Sequence, residues 1–290
     1  MDSLDKLILG TAQLGLAYGI NNKGSKLTKE EAFEILSIAY AKGIRTLDTA
    51  EAYGDAADLI GRFHNLNPTR RFKVISKFSS SDVDVSISKH VEAAIGVLQI
   101  NFLKGYLFHS YADYESNQST LAELDELSKS GIIEMLGVSL YTAKEFESVL
   151  KDDRIRLVQI PYNLFDNRLL WKKMFIEAKR RGVVVHVRSI FLQGLFFRDT
   201  NTFPSTLKPL VAPIKQVKQI ASSKKLDLGA ICMQYAINQQ EIDGVLFGVE
   251  SCEQLCENIT NLDNVIDESI YKEIEKIPLQ DHSLLKPTNW

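Results

Sequence analysis

The chain has 290 residues, of which 45% are hydrophobic and 24% charged; this is globular composition and excludes a disordered or collagen-like chain. Its 34 basic and 37 acidic residues leave a net charge of −3. The two signs are mixed along the chain, so no basic block speaks for a nucleic-acid or anionic-membrane partner.

The start, MDSLDKLILGTAQLG, puts two acidic residues before a short apolar run. A signal peptide wants a basic start and a longer apolar core. An apolar, strand-like run covers Leu7–Thr11. A helix follows, with Thr28 as its cap and Glu31 three residues on as a capping box. From there the pattern alternates. Strands are predicted at Arg45–Asp48, Lys73–Lys77, Gly105–His109, Met135–Ser139, Leu157–Pro161, Val183–Arg188 and Gly244–Gly248. Helices are predicted between them at Asp55–His64, Ser86–Leu98, Thr120–Ser130, Ala143–Leu150, Trp171–Arg181, Leu207–Lys224 and Leu228–Gln239. Gly43, Gly131 and Gly182 stand where a helix needs a left-handed C-terminal residue. Short loops are expected at Asp82–Val85, Tyr111–Ser119 and Phe196–Phe203. After Asp267 come a closing helix and a tail, Asp281–Trp290, expected to pack over one end.

Strand–helix alternation implies a parallel sheet with helical crossovers. The polar residues that end successive strands lie 29, 32, 30, 20 and 29 residues apart from Asp48 to Arg188. Eight near-equal units fit a single-domain α/β fold, a (β/α)8 TIM barrel over residues 1–290, better than an open doubly wound sheet. The open sheet would also place G-x-G-x-x-G after the first strand, where this chain has Gly10-Thr11-Ala12-Gln13-Leu14-Gly15. No stretch reaches the roughly 18 apolar residues of a membrane span. The three cysteines, Cys232, Cys252 and Cys256, are odd in number and late in the chain, which argues against a disulfide framework. Cys252 and Cys256 have no histidine cluster beside them and read as ordinary helix residues, not zinc ligands. The expectation is a soluble, cytoplasmic protein.

In such a barrel the chemistry sits at the carboxyl ends of the strands. Those ends read Asp48, Lys77, His109, Ser139, Gln159 and Arg188. A buried polar side chain without a partner is costly, so six around one rim point to a shared cup for a ligand. Tyr53 lies five residues past Asp48, across a strand-to-helix turn. A free phenol titrates near about 10, and a neighbouring ammonium favours its ionised form. Lys77 can be that ammonium, held by Asp48, with His109 beside a carbonyl oxygen. Such a group donates a proton to an oxygen on which charge develops.

The contexts LDTAEAYG, ISKF and LFHS around Asp48, Tyr53, Lys77 and His109 resemble the catalytic tetrad of the aldo/keto reductases. The resemblance runs from LILGTAQLG to GVESCEQLCEN. It implies reduction of an aldehyde or ketone, or the reverse oxidation, by hydride transfer from NADPH or NADH. Tyr53 would be the general acid, Lys77 and Asp48 would tune it, and His109 would orient the carbonyl. Gly137-Val138-Ser139-Leu140 is similar to the family's G-V-S-N segment, with Leu140 in place of the Asn. By the same resemblance Ser139 and Gln159 would hold the carboxamide. Arg188 stands where the family often has an aromatic residue against the nicotinamide. Ser189, Phe191, Gln193 and Gly194 would wrap the pyrophosphate, and Gln254, Glu257 and Asn258 would meet the adenosine. Thr11 and Gly248 join the same cofactor set. The family's usual cofactor is NADPH, yet Glu250 and Glu253 are acidic where a 2′-phosphate would want a cation, a charge that suits NADH; the expectation is NADPH, with NADH as the alternative.

Two other functions compete: a nicotinamide-nucleotide-binding regulatory subunit with little turnover, and a lyase that forms a Schiff base on Lys77. A metal-dependent hydrolase would want His-x-His on a strand, which His64, His90, His109, His186 and His282 do not supply. His186 reads as a packed interior residue. A tight polar cup with Arg188 points to a polar, anionic or sugar-derived small-molecule carbonyl substrate instead of a bulky steroid. No oligomer signal stands out.

Overall fold

A computed structural model describes residues 3–22, 24–79, 86–167 and 169–290 of the chain. Eight strands, β1 (Leu7–Gly10), β2 (Thr46–Asp48), β3 (Lys73–Phe78), β4 (Gly105–Phe108), β5 (Leu136–Ser139), β6 (Leu157–Pro161), β7 (Val184–Arg188) and β8 (Gly244–Phe247), pair in sequence order. All eight pairings are parallel, and β8 closes on β1 through Ile8 opposite Leu246. This is the eight-stranded barrel expected from the alternation, with helices outside it. The expected Asp82–Val85 loop lies outside the described residues. No described helix is long and apolar enough to cross a membrane.

Successive side chains of a strand point to opposite faces, and here the two faces build two cores. Outward residues such as Leu7, Leu9, Val74, Phe78 and Val185 join one large apolar cluster with the surrounding helices. Inward residues Ile8, Ile75, Leu107, Leu157 and Leu246 make a smaller cluster that plugs the barrel. One step along each strand, above that plug, the inward positions turn polar: Asp48, Lys77, Ser139, Gln159 and, beyond the end of β4, His109.

Local signals explain most helix ends. Thr28 and Glu31 form a complete capping box, with Glu31 N–H donating to Thr28 Oγ1 at 3.2 Å and Thr28 N–H to Glu31 Oε2 at 2.8 Å. Gly43, Gly131 and Gly182 follow their helices at φ of 98°, 83° and 69°. Two expectations need correction. Tyr111–Ser119 is not a loop: Ser110 accepts from Asp113 N–H at 3.0 Å and opens a short helix, Tyr111–Ser116. The expected helix Leu207–Lys224 is broken, with a 3-10 turn at Ser205–Leu210 before an α-helix at Val211–Ser223. Pro209 sits in that turn and has no N–H to donate. After the closing helix Glu268–Ile274 the tail packs back, burying Leu284 and Leu285 and bonding Trp290 Nε1 to Leu284 O at 2.8 Å. Cys252 and Cys256 lie on the helix Cys252–Thr260, and all three cysteines are free.

His186 fills the barrel interior beside Gly244, where any Cβ would meet its ring at 2.5 Å. Its Nδ1 is buried without a hydrogen-bond partner. Burial, then the charges of Lys104 and Lys77, push its pKa down to about 3 from 6.5. The unfolded chain therefore binds a proton between those values that the folded chain refuses, and stability falls as pH drops through that window. His186→Leu is expected to remove one proton's worth of that slope, measured as denaturation midpoints between pH 7 and about 3.5; an unchanged slope would contradict the assignment.

Candidate active site

The site is built on a buried ion pair. Lys77 is 1% exposed and Asp48 3%. Lys77 Nζ donates to Asp48 Oδ1 and, at 2.9 Å, to the carbonyl of Thr49. Gln159 Nε2 donates to the other carboxylate oxygen, Asp48 Oδ2, at 2.7 Å. Thr11, the residue after β1, secures the same aspartate, its N–H and Oγ1 reaching Asp48 O at 2.9 and 3.0 Å. Burial disfavours the Lys77 ammonium, but the Asp48 charge and the nearby Tyr53 outweigh it and raise the lysine above its ordinary value. The lysine is therefore held charged inside the barrel mouth.

Tyr53 is brought over this pair by the turn between β2 and the helix Ala56–Leu66. Its N–H bonds Ala50 O at 3.0 Å, and its carbonyl accepts from Ala56 N–H at 3.1 Å. Gly15 presses on that turn so closely that a Cβ there would stand 1.8 Å from Tyr53 O. Glu51 pins the turn from behind: its N–H reaches Lys77 O at 2.9 Å, and its carboxylate meets Tyr106 Oη and His90 Nε2, each at 2.7 Å. The result sets Lys77 Nζ 5.2 Å from the centre of the Tyr53 ring. The His109 ring meets Tyr53 edge-on, 6.1 Å between centres and 79° between planes. Burial, then the charges of Lys77 and Arg188, lower the His109 pKa. That leaves a neutral imidazole, a ring that can donate one hydrogen bond.

These four residues open into a cavity of about 930 Å³. All twelve residues carried over for the cofactor line it too. Ser139 and Gln159 are register partners on β5 and β6, and the buried Oε1 of Gln159 has no partner among the described residues. Arg188 lies with its guanidinium carbon 4.3 Å from the centre of the Tyr141 ring, and Nη2 reaches Leu140 O at 3.4 Å. Ser189, Leu192, Gln193 and Gly194 all have positive φ, at 61°, 48°, 51° and 88°. Three non-glycine residues so close together in the left-handed region mark a segment held under strain. Asn21 Nδ2 ties it down at Gly194 O, 2.7 Å away. Gln254, Glu257 and Asn258 line the far end, on a helix capped by Ser251.

Several lining residues escaped the sequence reading, among them Tyr18, Tyr141, Phe197 and Asp227. Gln193 Nε2 donates to Tyr18 Oη at 2.6 Å. Burial, with Tyr53 next, pushes the Tyr18 phenol up to about 12, so it stays protonated. The available signal was position: Tyr141 stands two residues past the strand-end Ser139, on the face where barrel loops build sites.

The aldo/keto reductase family pattern matches residues 6–278. An uncharacterised oxidoreductase of Bacillus subtilis (strain 168) is 23% identical, over 87% of this chain and 89% of that protein. The NADH-specific methylglyoxal reductase of Escherichia coli (strain K12) is 20% identical, over 90% of each. Among solved structures, the holo form of an aldo-keto reductase from Bacillus halodurans superposes with a TM-score of 0.75 at 18% identity, over 94% of this chain and 91% of that one. The glycerol dehydrogenase of Gluconobacter oxydans gives 0.73 at 19% identity, over 94% and 90%. A pattern matched across nearly the whole chain, on a closed barrel, makes this protein a member of the aldo/keto reductase family, oxidoreductases that act on carbonyl compounds.

Proposed function

We propose that the protein reduces a small aldehyde or ketone to the alcohol, or runs the reverse reaction, with NAD(P)H as hydride donor. The observation that carries this reading is the convergence of Tyr53, His109 and the buried Lys77–Asp48 pair on one cavity. When bound, the nicotinamide supplies a hydride to the carbonyl carbon. The chain's own residues do the rest. The His109 ring donates a hydrogen bond to the substrate oxygen and aims it at Tyr53. As the carbon accepts the electron pair, Tyr53 Oη gives its proton to the oxygen, and the phenolate left behind is met by the Lys77 ammonium. Solvent then returns the proton to Tyr53. Asp48 keeps Lys77 charged and stationary, so the positive charge is in place before it is needed.

The inner cavity suits a nicotinamide carboxamide. Gln159 spends its amide on Asp48 and leaves Oε1 free as an acceptor beside the Ser139 hydroxyl. The strained turn Ser189–Gly194 lines the same cavity, which supports its role beside the cofactor's diphosphate. Relatives named for methylglyoxal, glyoxal and D-arabinose support a small polar carbonyl as substrate. The Schiff-base alternative needs Lys77 as a neutral amine, and a lysine raised above its ordinary value disfavours that form.

Tyr53→Phe is expected to lower kcat by at least about 1000-fold, at the upper part of the range for losing a general acid, while the Kd for cofactor changes less than about threefold. Single-turnover oxidation of NADPH or NADH by 4-nitrobenzaldehyde, with binding followed by nicotinamide fluorescence, checks both. Undiminished turnover would exclude Tyr53 as the acid.

The family's prevalence favours NADPH, but the lining of the cavity favours NADH. Lys77 and Arg188 are the basic residues among its described lining, both at the catalytic end, whereas Glu250 and Glu257 line the other. Fluorescence titration is expected to give NADH a Kd equal to or below that of NADPH. A tenfold tighter NADPH would mean that a phosphate partner exists.

A further inference from the structure

The inner end of the cavity carries one positive charge that nothing in the described chain balances. Lys77 and Asp48 neutralise each other. His109 is uncharged, and Tyr18 is protonated. Arg188 remains, and it pairs with no carboxylate among the described residues. Its guanidinium is not held by an acid but by the face of Tyr141, 4.3 Å away, plus one long bond to Leu140 O. Most of its five N–H donors are thus uncommitted. A second cation arrives from the far end of the chain: Lys286 Nζ stands 5.6 Å from the centre of the same Tyr141 ring. Asp113, whose charge is felt at His109, is engaged by the hydroxyls of Ser79 and Ser110 and does not line the cavity.

An uncompensated, half-buried guanidinium is unfavourable alone and favourable once it meets an anion of matching geometry. A carboxylate takes an arginine fork through two parallel hydrogen bonds. The aromatic seat fixes the plane of the fork in advance, which lowers the ordering needed when a ligand binds.

We infer that this reductase selects anionic carbonyl substrates, with Arg188 on its Tyr141 seat as the anchor for a substrate carboxylate and Lys286 adding long-range attraction at the same ring. The inference rests on the reductase reading and narrows its substrate class to oxo acids and acidic sugar-derived aldehydes. Arg188 is here a specificity residue of the substrate end, where family resemblance had put it with the cofactor.

The test uses two aldehydes of nearly equal shape, 4-carboxybenzaldehyde and 4-carbamoylbenzaldehyde, which differ by one negative charge; the neutral amide is slightly the more electron-poor, so intrinsic reactivity works against the expected preference. At saturating cofactor the intact protein is expected to show kcat/KM roughly tenfold to a hundredfold higher for the carboxylate, the range of a charge-assisted pair. In Arg188→Met that ratio falls to about one or below; in Lys286→Met it falls by a smaller factor. The matching alcohols, 4-(hydroxymethyl)benzoate and 4-(hydroxymethyl)benzamide, are titrated calorimetrically into the cofactor-loaded protein as a readout independent of turnover. Equal kcat/KM for the two aldehydes in the unaltered protein overturns the inference while leaving the reductase reading intact. A preference that survives Arg188→Met also overturns it, because the anion would then be held elsewhere. If neither aldehyde reacts, the reductase reading fails, and the calorimetry decides the rest. Binding of the carboxylate alone, lost in Arg188→Met, upholds the anion site, and its absence refutes it.

Discussion

A lysine and an aspartate that bury each other at the mouth of a closed barrel set the terms for everything around them. An isolated charge in that position would not be tolerated. The pair survives because each polar atom has work to do: Lys77 reaches Asp48 and the Thr49 carbonyl, and Asp48 takes a further bond from Gln159. Removing one partner from such a pair typically costs about 3–5 kcal/mol, since the other is left charged and buried. The pair therefore ties β2, β3 and β6 together at the level where the cavity begins. It also fixes where Tyr53 and Gln159 stand relative to each other.

The apolar plug beneath explains why this polar layer is a site and not a leak. Ile8, Ile75, Leu107, Leu157 and Leu246 close the barrel from below, so the ions above them face a cavity on one side and hydrocarbon on the other. Low surrounding polarity strengthens the interaction between fixed charges and a reacting oxygen. The same low polarity keeps His109 neutral and the Tyr18 phenol protonated. It makes the charge of Arg188, which no carboxylate among the described residues pairs, matter more than it would at the surface.

Much of this was legible in the sequence because the barrel repeats a local rule. Each apolar run carries one inward polar residue in its carboxyl half, so Asp48, Lys77, Ser139, Gln159 and Arg188 could be read off as one rim. The quartet's contexts then identified the family. What escaped depends on contacts between distant parts of the chain. Nothing near Tyr141 announces that Arg188 will lie on its face, or that Lys286, far along in the tail, will approach the same ring. The helix Tyr111–Ser116 escaped for a different reason: its cap, Ser110, was visible, but six residues are too few for periodicity to register. Pro209 was also visible, and it breaks the expected Leu207–Lys224 helix.

Whether Asp48 and Lys77 act as one unit is most directly measured by a double-mutant cycle on Asp48→Asn and Lys77→Met, read in both kcat/KM and unfolding free energy. The account predicts strong non-additivity: the double variant turns over no more slowly than Lys77→Met alone and is more stable than either single variant, because no lone charge stays buried. Losses that simply add, in activity and in stability alike, would mean that the two residues contribute independently and that the pair is not what the site is built on.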